Sequence, residues 1–187
     1  MDLEETADRC RRMIAEGPGY AAFPVTAGPG AQPVYRAVVD DAAAVEFVEM
    51  SPDLASHAVE TFVFQRIRAA WVLLGGGATR DEGVPHRVPA AQRDGLHLTV
   101  SQTYVTRKRK APLLGPRHIS LAEVHVSLET RTVTADGVPL PLAAHGCVPV
   151  LWSGRRPPLV EARASSGALL ATLRPTPADR PRPAKAR

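Results

Sequence analysis

Ser56-His57-Ala58-Val59-Glu60-Thr61-Phe62-Val63-Phe64-Gln65-Arg66-Ile67-Arg68-Ala69-Ala70-Trp71-Val72-Leu73-Leu74 is the stretch on which the fold turns. Val59, Phe62, Val63, Ile67, Ala70 and Trp71 recur at intervals of three and four, the period of one face of an α-helix. Ser51-Pro52-Asp53 precedes the run as a helix start, and Gly75-Gly76-Gly77 follows it as a stop. The spacing predicts a long helix. Phe64, Val72 and Leu73 fall off the main stripe, so the helix is apolar on more than one face and is expected to be covered on most sides. It reads as the central helix of the domain.

Working outward, Ala44–Met50 interleaves β-branched and aromatic residues with Glu46 and Glu49 and reads as extended, with a helix as the competing reading, and Asp40-Asp41 turns the chain from a strand at Val34–Val39. At the N-terminal side, Leu3, Ala7, Cys10 and Ile14 mark a short amphipathic helix with Asp2 and Glu5 in the order of a capping box. Gly17-Pro18-Gly19 and Ala27-Gly28-Pro29-Gly30 set that helix apart as a loosely joined appendage. Residues 78–94 read as loop. Strands then dominate. Leu96, Leu98 and Val100 alternate with polar residues, and Val124, Val126 and Leu128 alternate with His125, Ser127 and Glu129 in a strand running on to about Thr134. Asp136-Gly137 is a hairpin turn. Gly146–Trp152, Leu159–Arg163 and Leu169–Leu173 are further strands, with Pro149 pointing to a sheet edge or bulge.

The expected class is therefore α+β, a long central helix wrapped by an antiparallel sheet with an added N-terminal helix. Residues 1–30 form the helix and linker, 31–173 the domain, and 174–187 a basic, proline-rich tail with too little apolar content to order.

Length and composition bound the function. A chain of 187 residues with 44% hydrophobic and 22% charged residues belongs to the globular class and suffices for one domain. Cys10 and Cys147 are too few for a disulfide framework, which fits reduced thiols in a cytoplasm. The net charge of +4 lies wholly in residues 174–187, where five basic residues face one acidic residue. The body is neutral, so a nucleic-acid partner is not expected. No run of about 20 apolar residues exists, and Asp2-Leu3-Glu4-Glu5 is acidic where an export signal is basic. Neither membrane association nor export is expected.

Glu46–Ala58 resembles the strand-to-helix entrance of hotdog-fold thioesterases of the 4-hydroxybenzoyl-CoA thioesterase type. Asp53-Leu54-Ala55-Ser56-His57 matches that family's Asp-x-x-Gly-His, with Ser56 in place of glycine. Ala111-Pro112-Leu113-Leu114-Gly115-Pro116 is similar to its Pro-x-x-x-Gly-Asp connection, one residue shorter and without the Asp, and Trp152–Leu159 to its Gly-Arg-Pro segment. Ala58-Val59-Glu60 stands where the family often has Val-Asn-Asn. The resemblance implies hydrolysis of an acyl thioester on coenzyme A or an acyl carrier protein, a dimer or higher homo-oligomer, and no cofactor. It leaves two alternatives, a dehydratase or other acyl-modifying enzyme of polyketide-type biosynthesis and a non-catalytic acyl- or protein-binding module.

Thioester hydrolysis needs a carboxylate and oxyanion donors. The resemblance places Asp53 as that carboxylate, Glu60 as its competitor and His57 as an orienting group. The amides of Val59 and Glu60, in the first turn of the expected helix, would hold the thioester oxygen. Arg107-Lys108-Arg109-Lys110 is the one dense basic run of the body and suits coenzyme A phosphates or an acidic carrier surface. Each of these residues also has a structural reading, Asp53 as a cap, Glu60 in a salt bridge, His57 as a hydrogen-bonding group near a helix start and the basic run as a charged strand edge. His97, His118, His125 and His145 lie in or beside strands and receive no role. His57 and Glu60 lack a second histidine pair, so no metal is expected.

Overall fold

The computed structural model describes residues 3–26, 28, 30–107, 118–154 and 156–176. One α-helix, α1 (Leu3–Ala15), precedes β1 (Gly19–Ala22), β2 (Ala31–Val39), β3 (Ala42–Met50), β4 (Ser56–Ile67) and β5 (Ala70–Glu82). After a 3₁₀ turn at Ala90–Arg93 come β6 (Leu98–Arg107), β7 (His118–Val126), β8 (Thr132–Ala135), β9 (Val138–Leu140), β10 (Cys147–Ser153), β11 (Val160–Arg163) and β12 (Leu169–Leu173). They form three antiparallel sheets in the orders β1-β2-β3-β4-β5, β10-β7-β6 and β12-β11-β8-β9.

The expected central helix is a β-hairpin. Ile67 pairs with Ala70 across a two-residue loop, with Arg68 at φ 57°. Val59, Thr61, Val63, Ile67 and Val72 are β-branched and Phe62, Phe64 and Trp71 aromatic, residues that lose χ1 freedom in a helix and pack well on a pleated surface. Period two also fits the run. His57, Val59, Thr61 and Val63 share one face of β4, and Ala58, Glu60, Phe62 and Phe64 the other. Gly75-Gly76-Gly77 is no terminator but lies within β5, opposite Val63, Phe62 and Thr61. A Cβ on Gly76 would stand 2.1 Å from the Thr61 carbonyl oxygen, so the backbones approach there as only glycine allows.

These findings overturn the α+β class and the hotdog resemblance. A hotdog needs a long helix for its sheet to wrap, and among the described residues the one α-helix is the N-terminal α1 of 13 residues. Nor is α1 loosely joined. Its Cys10, Met13 and Ile14 are buried against Val38, Ala43, Val45, Phe47, Phe62 and Phe64 on the outer face of the five-stranded sheet. Arg9 donates to the Ala31 carbonyl at 2.9 Å and lies over the Phe47 ring.

The inner face of that sheet meets the β10-β7-β6 sheet, with β10 against β2 and β3 and β6 beside β5. Tyr35, Ala37, Ala42, Ala44 and Val63 join Ile119, Leu121 and Leu151 in the main apolar cluster, which continues into Val133, Ala135, Val160 and Ala162 of the third sheet. β7 ends at Val126 instead of running on to Thr134. Arg87 breaks it, donating to the carbonyls of Ser127, Leu128 and Thr130 and fixing the bend between β7 and β8. Asp136-Gly137 makes the β8–β9 turn as the sequence predicts, and Pro149 lies on the edge strand β10. No helix among the described residues is long and apolar enough to cross a membrane.

Candidate metal centre between the sheets

Alternation along three strands sends polar side chains into the interior at one end of the sandwich. Glu46 sits between Ala44 and Val48 on β3 and is fully buried. Thr61 is its direct partner across the β3–β4 ladder. The Thr61 hydroxyl lies 3.1 Å from Glu123 Oε1 and 3.5 Å from Glu46 Oε1. One proton serves two carboxyl groups, and the shorter distance gives it to Glu123. Glu46 Oε2 is buried without a hydrogen-bond partner.

In Glu123-Val124-His125 of β7 the outer two side chains share a face, and Cys147 is directly opposite His125 in the β7–β10 ladder. One oxygen of Glu123, one ring nitrogen of His125 and the Cys147 sulfur all lie within 4.8 Å of one another. Donor atoms about 2.0–2.3 Å from a tetrahedral zinc ion stand roughly 3.4–3.8 Å apart, so side-chain rotations of about an ångström close this set on a metal. Carboxylate, imidazole and thiolate are together a donor set for a zinc-class ion, and three protein ligands leave a fourth position open.

The ionisation of the site follows from its burial. Burial, and then the charge of Glu123, push the Glu46 carboxyl well above the usual carboxylate range. Burial, with both glutamates behind it, likewise raises the Cys147 thiol. Burial first and the Arg93 charge second lower His125 to about 4. The metal-free site thus holds its thiol protonated and its imidazole neutral. A dication would compensate the Glu123 carboxylate and a Cys147 thiolate together.

The cluster opens into a cavity of about 330 Å³. Val25, Val34, Val48, Val59, Val84 and Val88 form apolar wall, and Arg80, Asp81, Glu82, Arg93 and His145 add polar lining. His145 accepts the Cys147 N–H at Nδ1, 3.2 Å away.

Of the residues read from the sequence, His57 and Val59 line this cavity. His57 Nδ1–H donates to the Gly83 carbonyl at 2.7 Å, which fixes the ring. Asp53 and Glu60 are not brought to it. Asp53 is exposed in the turn between β3 and β4, where its Oδ1 accepts from Ser51 Oγ at 2.6 Å and the Ala55 N–H at 3.1 Å. Those bonds hold its carboxyl below the usual range. Glu60 faces the opposite side of the sheet, in a separate cleft with Leu3, Thr6 and the β5 glycines. Val59 and Glu60 are ladder positions paired with Val48 and Phe47, so no helix start offers their amides to a thioester. Arg107 ends β6 opposite His118, and Lys108, Arg109 and Lys110 lie outside the described residues.

Glu46, Glu123, His125 and Cys147 carry no role in the sequence reading. The Glu-x-His alternation on a strand is visible there, but Cys147 joins it only through the β7–β10 pairing. No protein-family model, no curated protein and no solved structure matches the chain.

Proposed function

We propose that the protein binds one zinc-class ion through Glu123, His125 and Cys147, and that the open position of this centre supports hydrolysis of a small electrophilic substrate. The convergence of three chemically suited donors at the wall of a cavity carries this reading. The second buried carboxyl, Glu46, is tied to the same ligand set through Thr61 and would be placed to take a proton from a nucleophilic water once a bound dication had offset the burial and Glu123 charge that keep it protonated. In such a step the water O–H bond breaks, its proton passes to Glu46, and the hydroxide oxygen bonds to the substrate carbonyl carbon. Collapse then breaks the bond to the leaving group, which recovers the proton. Acyl thioesters on coenzyme A or a carrier protein belong to this class of electrophile and are the first substrates to assay, beside simple esters and amides.

The test is metal analysis of the full chain dialysed against zinc, together with optical spectroscopy of the cobalt-substituted protein. One equivalent of zinc and a thiolate-to-cobalt charge-transfer band, both lost in Cys147→Ser and His125→Ala, are the expected results. A protein that binds no stoichiometric metal, or whose cobalt spectrum survives Cys147→Ser, overturns the assignment.

A further inference from the structure

We infer that Arg93 is an anion anchor of this cavity and that the natural ligand is a small organic monocarboxylate with an apolar body. The inference deepens the metal-centre reading by naming what the same cavity holds, although anion binding at Arg93 does not itself require the metal.

Arg93 lines the cavity, and its Nη1 is buried with no hydrogen-bond partner among the described residues. A guanidinium nitrogen withdrawn from water without an acceptor is unfavourable, and the natural complement of that fork is a carboxylate. The placement is fixed from below. Arg93 closes the 3₁₀ turn Ala90–Arg93, in which the Glu129 carboxylate accepts the Ala90 N–H at 3.1 and 3.2 Å. The Gly95 N–H donates to the Ala90 carbonyl at 2.9 Å, and the Leu96 N–H to the Arg93 carbonyl at 2.8 Å. Such a turn presents its last side chain in a set direction, as pre-organised recognition requires.

The rest of the lining narrows the ligand. Valines on β2, β3 and β4 and in the segment after β5 provide an apolar bed. Glu123, Asp81 and Glu82 also line the cavity against Arg80 and Arg93, so a phosphate or other multiply charged anion meets more repulsion than a single carboxylate bound at Arg93. An acyl chain or an aromatic ring ending in one carboxylate satisfies both the valine walls and the guanidinium.

The experiment is calorimetric titration of benzoate, phenylacetate and octanoate, each against its neutral amide, into the full chain in metal-free and zinc-loaded forms. At least one carboxylate is expected to bind about tenfold or more tighter than its amide. That preference is expected to vanish in Arg93→Gln and to return in part in Arg93→Lys, which keeps the charge but loses the fork. The cobalt spectrum of Arg93→Gln is recorded in parallel and is expected to match the parent. A carboxylate-to-amide ratio near one, a preference that survives Arg93→Gln, or no binding by any member overturns the inference. A normal cobalt spectrum beside a missing carboxylate preference rejects the anchor and leaves the metal reading standing. A carboxylate preference in metal-free protein without a cobalt–thiolate band does the reverse.

Discussion

Replacing Gly76 by alanine separates the hairpin from the helix that the sequence spacing favours, because the two readings predict losses of different size. As part of a stop just past a helix end, the glycine would lose at most the advantage it holds in a left-handed cap, about 1 kcal/mol. In the β4–β5 hairpin the new methyl would lie 2.1 Å from the Thr61 carbonyl oxygen and 3.2 Å from its carbon, against an ordinary contact of 3.4–4 Å. Both neighbours are backbone, so relief means moving β5 off β4 by more than an ångström, beyond hydrogen-bond reach. Overpacking costs about 1–3 kcal/mol, and each ladder bond lost adds roughly 1 kcal/mol. A loss of roughly 2–4 kcal/mol is expected, a large part of the total of about 5–15 kcal/mol for a domain. Urea unfolding followed by circular dichroism measures it. Gly28→Ala, whose nearest neighbour would be Gln32 Nε2 at 3.9 Å, is the control and should stay within about 0.5 kcal/mol of the parent. Thr61 also holds Glu123, so Gly76→Ala should perturb the cobalt spectrum as well. A Gly76→Ala protein as stable as its parent or more so refutes the hairpin packing argued above.

Other consequences are independent of that one. Zinc at about a thousand times its dissociation constant should stabilise the parent by roughly 4 kcal/mol, a rise of about 8–16 °C in thermal midpoint at this chain length. Cys147→Ser should show none of it in the same melt. Because burial and Glu123 raise Glu46 in the folded state, the metal-free fold keeps a proton that the unfolded chain releases above its ordinary value of 4.5. The Glu46 contribution to metal-free stability should therefore fall as pH rises from 4.5 towards neutrality, opposed by His125 and His145, whose lowered values add stability over the same range. Glu46→Gln should gain stability on the parent as pH rises and be the more stable variant at neutral pH, and equal slopes in urea unfolding would count against it. Buried Arg36 donates through Nη1 to the Met13 carbonyl at 2.9 Å and pairs with Glu16 at 3.1 Å. Arg36→Met should cost about 1–3 kcal/mol and expose the segment after α1 to limited proteolysis, whereas unchanged cleavage would show that the helix is held without it. Asp53→Asn should leave metal content and turnover unchanged, since its carboxylate bonds only within its own turn; loss of turnover would restore it to the chemistry.

The strands whose signals are local were legible in the sequence. Val34–Val39, Ala44–Met50, Gly146–Trp152 and the Asp136-Gly137 turn carry β-branched alternation or turn residues within a few positions of one another. The hairpin of β4 and β5 was hidden for a physical reason. Its two-residue loop is Arg68-Ala69, with no glycine, asparagine or aspartate to mark the positive φ, while three glycines stand in mid-strand where they look like an end. Both faces of β4 are apolar because one meets α1 and the other the second sheet, so a period-two pattern fills in and mimics intervals of three and four. The site was lost with the strands. His57 and Val59 were visible as neighbours of a presumed helix start and do line the cavity, but Glu46 stood out only as one of two glutamates interleaved along an extended segment and Cys147 only as a reduced thiol. Each acquires its setting from a strand far away in sequence.

The same division of faces explains why the acidic residues can stand where they do. α1 seals the outer face of the five-stranded sheet with Cys10, Met13 and Ile14 over Phe47, Phe62 and Phe64, so the apolar burial that sustains this half of the fold does not depend on the inner face at the cavity. Shifting β4 by one residue would carry Phe62 and Phe64 into the interior and Thr61 under the helix, exchanging every partner at once. The bulge between Val63 and Phe64, with Leu74 as the extra residue on β5, fixes the register against that slip at the point where β4 leaves the cavity and enters the core. A polar pocket between two sheets is costly in isolation, and here the phenylalanine face on the other side of the same strands supplies the stability that lets Glu46, Thr61 and Glu123 stay buried together.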